Sequence, residues 1–302
     1  MESIIEFLKT NGVKLDLLVL QISVILIVTS IGISATWQDA MFLFRNPSLL
    51  FRSVLARNVI VPCVAVAMIK AFTFHPAVEI TIAVLAATPV PPILPSSLLR
   101  SGGRHCYVLG LLASQAVLAI IIVPLIVRVM DSAFPGDLNF SVRETAAIVL
   151  RSILVPLAAG LVAGRLLPDN ARQFGRLIAR LGNVLLVCAV LPLFVFAWTA
   201  FQTLVGEGLL LGLALMIFAG LAAGHLLGGP DENDRTVLAL ATSAAHPGVA
   251  IAIAKNFPDQ TKLVAGAVVI YLVLRAILVI PYVRMRRRSA RYPGGTPVAE
   301  RA

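Results

Sequence analysis

Residues 87–97 read Ala-Thr-Pro-Val-Pro-Pro-Ile-Leu-Pro-Ser-Ser, which places four prolines within seven positions of an apolar stretch. A proline has no amide hydrogen to donate and its ring clashes with the preceding turn, so this stretch does not support a continuous helix. Residues 241–248, Ala-Thr-Ser-Ala-Ala-His-Pro-Gly, contain a second break inside an apolar segment. Free carbonyls at membrane depth are tolerated only where they are buried in protein or line a polar cavity. The two stretches therefore predict two broken membrane helices.

The two breaks belong to a pattern that recurs at a fixed offset of 157 residues. Pro89–Pro92 aligns with His246–Val249, and Ala119–Val127 aligns with Ala276–Arg284. The matched segments lie five predicted spans apart, and an odd number of spans means that they cross the membrane in opposite directions. The pattern therefore predicts two structural repeats that are inverted relative to each other.

Composition classifies the chain as a membrane protein with many spans. Of its 302 residues, 59% are hydrophobic and 13% are charged, whereas a soluble domain is nearer one quarter charged. A span needs about 20 apolar residues. Nine such stretches are present: 15–34, 50–74, 77–99, 106–130, 143–165, 181–203, 207–228, 235–254 and 261–284. We predict one all-α transmembrane domain over 1–302, with a first repeat at 15–130 that lacks its first helix, an inverted second repeat at 143–286, and a basic tail at 287–302.

The net charge of +10 is explained by membrane topology rather than by nucleic-acid binding. Basic residues concentrate in alternate loops and in the tail, which contains the run Arg284-Met-Arg-Arg-Arg288. Positively charged loops stay in the cytoplasm, so we predict an outside amino terminus and a cytoplasmic carboxyl terminus, in the inner membrane of a bacterium. The tail then rests against the anionic surface of the lipid bilayer. Cys63, Cys106 and Cys188 lack metal-site spacing, and no metal or cofactor is expected. The sequence gives no expectation for the oligomeric state.

Polar side chains near the two breaks form the candidate substrate site. Where a helix is broken, the new amino terminus presents free N–H groups and partial positive charge, which favour an anion. Hydroxyls near the breaks are candidates for the same site, although a single hydroxyl in a helix more often bonds its own backbone. The candidate residues are Thr88, Pro89, Pro95 and Ser96 at the first break, Thr242, Ser243 and His246 at the second, and Gln115 and Arg275 in the middle of other spans.

Two of these candidates carry ionisable side chains. His246 stands directly before Pro247, where it binds substrate, carries a proton, or serves as a hydrogen-bonded packing group. Arg275 lies nine residues before Arg284, about 14 Å along a helix, which is too deep for its side chain to reach the interface easily. An intramembrane arginine usually faces protein or water, so we expect Arg275 to contact an anionic substrate or a structural partner.

Three passages carry a resemblance to a known family. They are Phe42-Leu-Phe-Arg-Asn-Pro47 with Arg57-Asn-Val-Ile-Val-Pro62, the segment from Pro89 to Gly102-Gly103, and the segment from Arg235-Thr236 through His246-Pro-Gly248 to Phe257-Pro258. In these passages the chain resembles the bile acid:sodium symporter family. The resemblance implies a four-helix panel, here lacking one helix, and a six-helix core with two crossing broken helices. It also implies sodium-driven uptake of amphipathic organic anions.

The sodium ligands that the resemblance implies are missing from this chain. The family's Glu, Gln and Asn of the second crossing helix fall on Ala241, Ala245 and His246. The Ser-Asn pair of its first crossing helix falls on Leu94 and Pro95. We therefore hypothesise that ion coupling is absent, altered, or proton-based through His246.

These observations together predict a secondary transporter that carries a small organic anion by alternating access. One alternative is a membrane sensor or scaffold of the same fold, which binds its ligand without net movement. Another is a proton-coupled or uncoupled exporter. A membrane enzyme is the weaker alternative, because the spans contain no carboxylate pair, HExxH, GxSxG or nucleotide-binding glycine loop.

Overall fold

The computed structural model describes residues 2–91, 104–133, 143, 147, 150–167 and 171–291, and the regular elements in these ranges are all helical. In chain order they are α1 (Glu2–Ser34), α2 (Trp37–Ala40), α3 (Pro47–Val54), a first π-helical segment (Leu55–Ile60), α4 (Val61–Ala71), α5 (Pro76–Ala87), α6 (His105–Ala133), a second π-helical segment (Leu150–Leu154), α7 (Val155–Leu166), α8 (Ala171–Leu204), a 3₁₀ turn (Val205–Glu207), α9 (Leu209–Leu227), α10 (Glu232–Thr242), α11 (Pro247–Ala254) and α12 (Thr261–Arg291). The predicted all-helical fold class is confirmed for these residues.

Three helices of the described ranges are long and apolar enough to cross a membrane: Pro47–Ala71, Leu209–Leu227 and Thr261–Arg286. Shorter apolar helices occupy Leu18–Ser34, Pro76–Ala87 and Cys106–Ala119. The chain is an integral membrane protein, and the count of nine spans stays a prediction.

Two helices begin well before their predicted spans. α1 begins at Glu2 rather than at 15, and α8 begins at Ala171 rather than at 181. The first turns of α8 contain Arg176 and Arg180, and arginine is a good helix former. The apolar pattern therefore predicted only the part of α8 that is apolar enough to lie in the hydrocarbon of the membrane, and the helix begins about ten residues earlier.

Both π-helical segments end two residues before a proline. Leu55–Ile60 is followed by Pro62, and Leu150–Leu154 is followed by Pro156. Because a proline has no amide hydrogen, the carbonyl one turn before it loses its usual partner, and a local π turn accommodates the change. The first π segment carries Arg57, which is buried, at the place where the helix widens.

The helices α5 and α10 lie in the interior of the fold. All α5 residues from Ile80 to Ala87 and all α10 residues from Thr236 to Thr242 are buried. A helix that is buried on every face lies inside a protein rather than at its lipid surface. α5 packs against α11 and α12, whereas α10 packs mainly against α9. The ends of α5 and α10 are therefore surrounded by other helices.

Helix α1 packs against α7 and α8, and we treat these three helices as one group. Helix α8 also packs against α12. Glycines at their contacts let the backbones approach closely. A Cβ atom added to Gly160 of α7 would lie 2.8 Å from the Cα atom of Gly32 in α1. The outer face of α8 carries exposed apolar side chains at helical spacing, as expected of a helix that faces lipid: Leu177, Leu181, Val184, Val187 and Leu191.

Replacing Gly160 by leucine is expected to separate α1 from α7 and to lower the apparent melting temperature of the purified protein. Overpacking costs about 1–3 kcal/mol where side chains can yield, and at Gly160 the obstacle is backbone. The matched control is Gly206→Leu, because a Cβ atom at Gly206 has no atom within 4 Å. Equal melting temperatures for the two variants would contradict the close contact of α1 with α7.

Two arginines form ion pairs with the amino-terminal end of α10. Arg104 pairs with the buried carboxylate of Asp234, with Nε donating to Oδ1 at 3.0 Å and Nη2 donating to Oδ2. Arg286 of α12 donates to Thr236 Oγ1 at 2.9 Å and to Glu232 Oε2 at 3.1 Å. This end of α10 is thus fixed by side chains, and its opposite end lies at the second break.

Candidate functional site

The first break begins where the prolines predict it. α5 ends at Ala87, and Thr88 has an extended backbone with φ −77° and ψ 148°. Pro89 explains the extended backbone of Thr88, because a proline disfavours helical geometry at the residue before it. Residues 89–91 are not helical either. The candidates Pro95 and Ser96 lie outside the described residues.

The second break separates α10 from α11. α10 ends at Thr242, Ser243 lies in a turn, residues 244–246 are not helical, and α11 begins at Pro247. His246 caps α11, because its Nδ1 accepts a hydrogen bond from the Val249 amide at 3.3 Å. An accepting Nδ1 carries no hydrogen, so the proton of the neutral ring is on Nε2.

The two breaks meet through Thr88 and His246, and we call residues 88–91 together with 243–246 the crossing. The His246 amide donates to Thr88 Oγ1 at 3.0 Å. The same hydroxyl donates to the Leu85 carbonyl at 2.8 Å and accepts from Arg57 Nη2 at 3.3 Å. A hydroxyl offers one donor and two acceptor positions, so all three hydrogen-bonding positions of the Thr88 hydroxyl are occupied. Thr88 is 1% exposed and His246 is 2% exposed.

Arg57 was not selected from the sequence, yet its guanidinium group binds both half-helix ends. Nη2 donates to the Thr88 carbonyl and, at 3.3 Å, to the Leu85 carbonyl, whereas Nη1 donates to the Thr242 carbonyl at 3.4 Å. The residue is 1% exposed. The available signal was an arginine deep in the predicted span 50–74, since such residues usually have a partner in the protein interior.

Arg275 has a structural partner at the end of α10. Its Nε donates to the Ser243 carbonyl at 3.0 Å, and its Nη2 donates to the Leu240 carbonyl at 2.7 Å. The Tyr271 hydroxyl donates to the same Ser243 carbonyl at 2.6 Å. Ser243 uses its own hydroxyl within α10, donating to Leu240 at 3.1 Å. Direct contact of Arg275 with a substrate stays a prediction.

Three buried side chains at or beside the crossing have a polar atom with no hydrogen-bond partner among the described residues: Arg57 Nε, Thr242 Oγ1 and His246 Nε2. Gln115 Nε2 is another such atom, and Gln115 Oε1 accepts a hydrogen bond at 2.9 Å from the side-chain amide of Asn58, which follows Arg57 in the chain. Arg57 Nε and Gln115 Nε2 carry hydrogens and act only as donors. His246 Nε2 is a donor as well, because Nδ1 already accepts a hydrogen bond and the ring hydrogen is therefore on Nε2. An unpaired buried donor costs about 1–3 kcal/mol, so a ligand rich in acceptors would be stabilised.

The structure brings most of the candidates together. Thr88, Pro89, Ser243 and His246 belong to the crossing, Thr242 adjoins it, Arg275 binds the end of α10, and Gln115 is linked through Asn58. Ala241 and Ala245, at positions implied to hold sodium ligands, are buried and have no side-chain oxygen. Within the described ranges there is no group of three or more His, Cys, Asp or Glu side chains able to hold a metal ion.

Broken helices that meet inside a helical membrane protein are typical of secondary transporters, and this is the class that the fold and the crossing indicate. The chain matches the sequence model of the sodium bile acid symporter family over residues 21–207. It belongs to that family, as the resemblance predicted. The matched range contains Thr88, Arg57 and Gln115, whereas the second break lies beyond it. No curated protein matches the chain.

Proposed function

We propose that the protein is a secondary transporter of a small organic anion, which binds at the crossing and is moved by alternating access. The observation that carries this proposal is the pair of unpaired donors on Arg57 and His246, both of which bind residues of the crossing. A carboxylate or sulfonate has several acceptor lone pairs and satisfies such donors, whereas a cation does not.

The charges around the crossing support an anion. No ion pair with a carboxylate of the described residues is formed by Arg57 or Arg275. The amino terminus of α11 adds partial positive charge next to His246. A buried cation without a counter-ion is costly, so an incoming negative charge lowers the free energy of the site.

The hydrogen bonding of His246 supports a donor role rather than proton transport. Protonation would place a hydrogen on Nδ1, which now accepts from the Val249 amide, and the cap of α11 would be lost. A neutral ring that donates from Nε2 keeps the cap and contacts the anion. Proton coupling through His246 is the second candidate, and it requires that uptake be driven by an inward proton gradient.

The packing of the helices suggests how access changes. Under this proposal α1, α7 and α8 form the panel, and the remaining helices form the core of a nine-span protein with inverted repeats. The first residues of α6 and α12, His105 and Thr261, lie 156 residues apart, close to the offset of the repeats in the sequence, which supports the two repeats. Because the crossing is buried, a substrate reaches it only when panel and core move relative to each other. We retain the proposed orientation with the carboxyl terminus in the cytoplasm of a bacterium.

A thermal-shift screen of the detergent-purified protein tests the proposal. Each organic carboxylate or sulfonate is paired with its uncharged amide or ester, because the pair isolates the negative charge. We expect some anions, and not their neutral partners, to raise the melting temperature by mass action. If neutral compounds stabilise the protein as well as anions do, or if no anion stabilises it, the proposed substrate class is wrong.

A further inference from the structure

The carbonyl ends of two half-helices converge on one buried cation. The last carbonyl oxygens of a helix have no helical partner and carry partial negative charge. Arg57 binds carbonyl oxygens at both ends: those of Leu85 and Thr88 at the end of α5, and that of Thr242 at the end of α10. The Leu85 oxygen also accepts a hydrogen bond from the Thr88 amide at 3.3 Å. The hydroxyl oxygen of Thr88, 3.3 Å from Arg57 Nη2, is a further neighbour.

This set of oxygens is of the kind that binds a small cation. In secondary transporters, unwound carbonyls and the carboxyl ends of half-helices bind a coupling sodium ion. In this chain the oxygens are occupied by a guanidinium group, which stays protonated in proteins and is covalently attached. Its charge is therefore present at every sodium concentration.

The surrounding side chains agree with a built-in cation. A bound sodium ion in a buried site is normally balanced by a carboxylate, and the described residues supply none within ion-pair distance of Arg57. Ala241 and Ala245 beside the second break are buried and apolar. A second guanidinium, that of Arg275, binds the Ser243 and Leu240 carbonyls at the same end of α10. Covalently attached cations, the guanidinium groups of Arg57 and Arg275, therefore bind the carbonyl ends of α5 and α10.

We propose that the Arg57 guanidinium takes the place of a coupling sodium ion between the ends of α5 and α10, and that anion transport is therefore independent of sodium. The inference rests on the proposed function and states that anion transport at that site is not coupled to sodium. Arg57 is then a positioning residue that holds the two breaks together, and its unpaired Nε faces the anion as a donor.

The experiment compares wild-type protein with Arg57→Ala in sodium chloride, in choline chloride, and in choline chloride with low millimolar guanidinium chloride. Melting temperature and equilibrium binding of radioactive sodium are measured in each. The wild-type protein is expected to show equal melting temperatures in all three salts and no saturable sodium binding. Arg57→Ala is expected to melt lower and to regain at least about 2 °C with guanidinium, which fills the vacated space.

Two further variants keep the test decisive. Arg57→Lys retains a cation, so it should melt above Arg57→Ala whether or not guanidinium rescues the latter. The control Arg286→Ala removes an arginine from the opposite end of α10, and guanidinium should not rescue it. Saturable sodium binding to the wild-type protein, or a lysine variant no more stable than the alanine variant, would overturn the proposal.

These readouts are separate from those that test the proposed function. Sodium binding and guanidinium rescue are measured without any organic anion. If sodium stabilises the wild-type protein while anions also do so, the built-in cation is refuted and the anion transporter stands. If no anion is bound while guanidinium rescues Arg57→Ala, the proposed substrate class is refuted and the role of Arg57 in the crossing stands.

Discussion

Thr88→Val is expected to reduce anion uptake by reconstituted protein to the level of protein-free liposomes. Valine has nearly the shape of threonine, but it accepts no hydrogen bond from the His246 amide or from the Arg57 guanidinium. The buried His246 amide would then be left without its partner, at a cost of about 1–3 kcal/mol, whereas Arg57 Nη2 would keep the Leu85 and Thr88 carbonyls. The breaks would also lose a hydrogen bond that joins them directly. Uptake of a labelled anion and the apparent melting temperature are measured together.

The chain offers a matched control in α5, the helix that ends directly before Thr88. Thr81 is buried as Thr88 is, but its hydroxyl donates only to the Ala77 carbonyl one turn earlier, at 2.6 Å. Thr81→Val should therefore keep most of the uptake, and Thr88→Ser should keep it because serine retains the hydroxyl. Equal uptake by Thr88→Val and Thr81→Val would mean that the contact between the breaks is not needed for transport.

Two substitutions of His246 are expected to separate stability from anion binding. Asparagine places an acceptor near the position of Nδ1, so His246→Asn keeps the cap of α11 and removes the Nε2 donor. Glutamine reaches the position of Nε2, so His246→Gln keeps a donor and loses the cap. We expect the asparagine variant to melt near the wild-type temperature but to bind the anion about 10–100-fold more weakly, the value of a hydrogen bond to a charged group.

The glutamine variant should show the opposite behaviour. Loss of a cap costs about 1 kcal/mol, so its melting temperature should fall while its affinity for the anion changes less than that of the asparagine variant. Thermal shift and equilibrium binding on the same preparations provide both numbers. If both variants lose stability and keep full affinity, His246 is a packing and capping residue and does not contact the substrate.

The positions of the two breaks could be predicted from the sequence, because the effect of proline is local. Pro89 and Pro247 act on the residues beside them. As expected, α5 ends at Ala87, shortly before Pro89, and α11 begins at Pro247. Pro124 and Pro281 carried the repeat signal equally well, yet both lie inside continuous helices. A single proline is accommodated by neighbouring groups in a membrane helix, and the sequence pattern does not distinguish the two outcomes.

The partners of the breaks could not be predicted in the same way, because they come from distant parts of the chain. Arg57 and the Thr242 carbonyl are 185 residues apart, and no periodicity specifies that they meet. Arg275 could be expected to have a partner inside the protein, but the sequence does not show that this partner consists of carbonyls at the end of α10. The π turn that carries Arg57 follows from Pro62 only once the helix is known to continue through it.

Flux of an organic anion through the reconstituted protein tests the central claim most directly. The anion that gives the largest thermal shift is offered to liposomes that contain the protein, with sodium or choline as the external cation. We expect saturable uptake above that of protein-free liposomes, equal in the two salts and absent from the Thr88→Val protein. Binding of the anion without any such uptake would contradict the central claim and would identify the protein as a sensor.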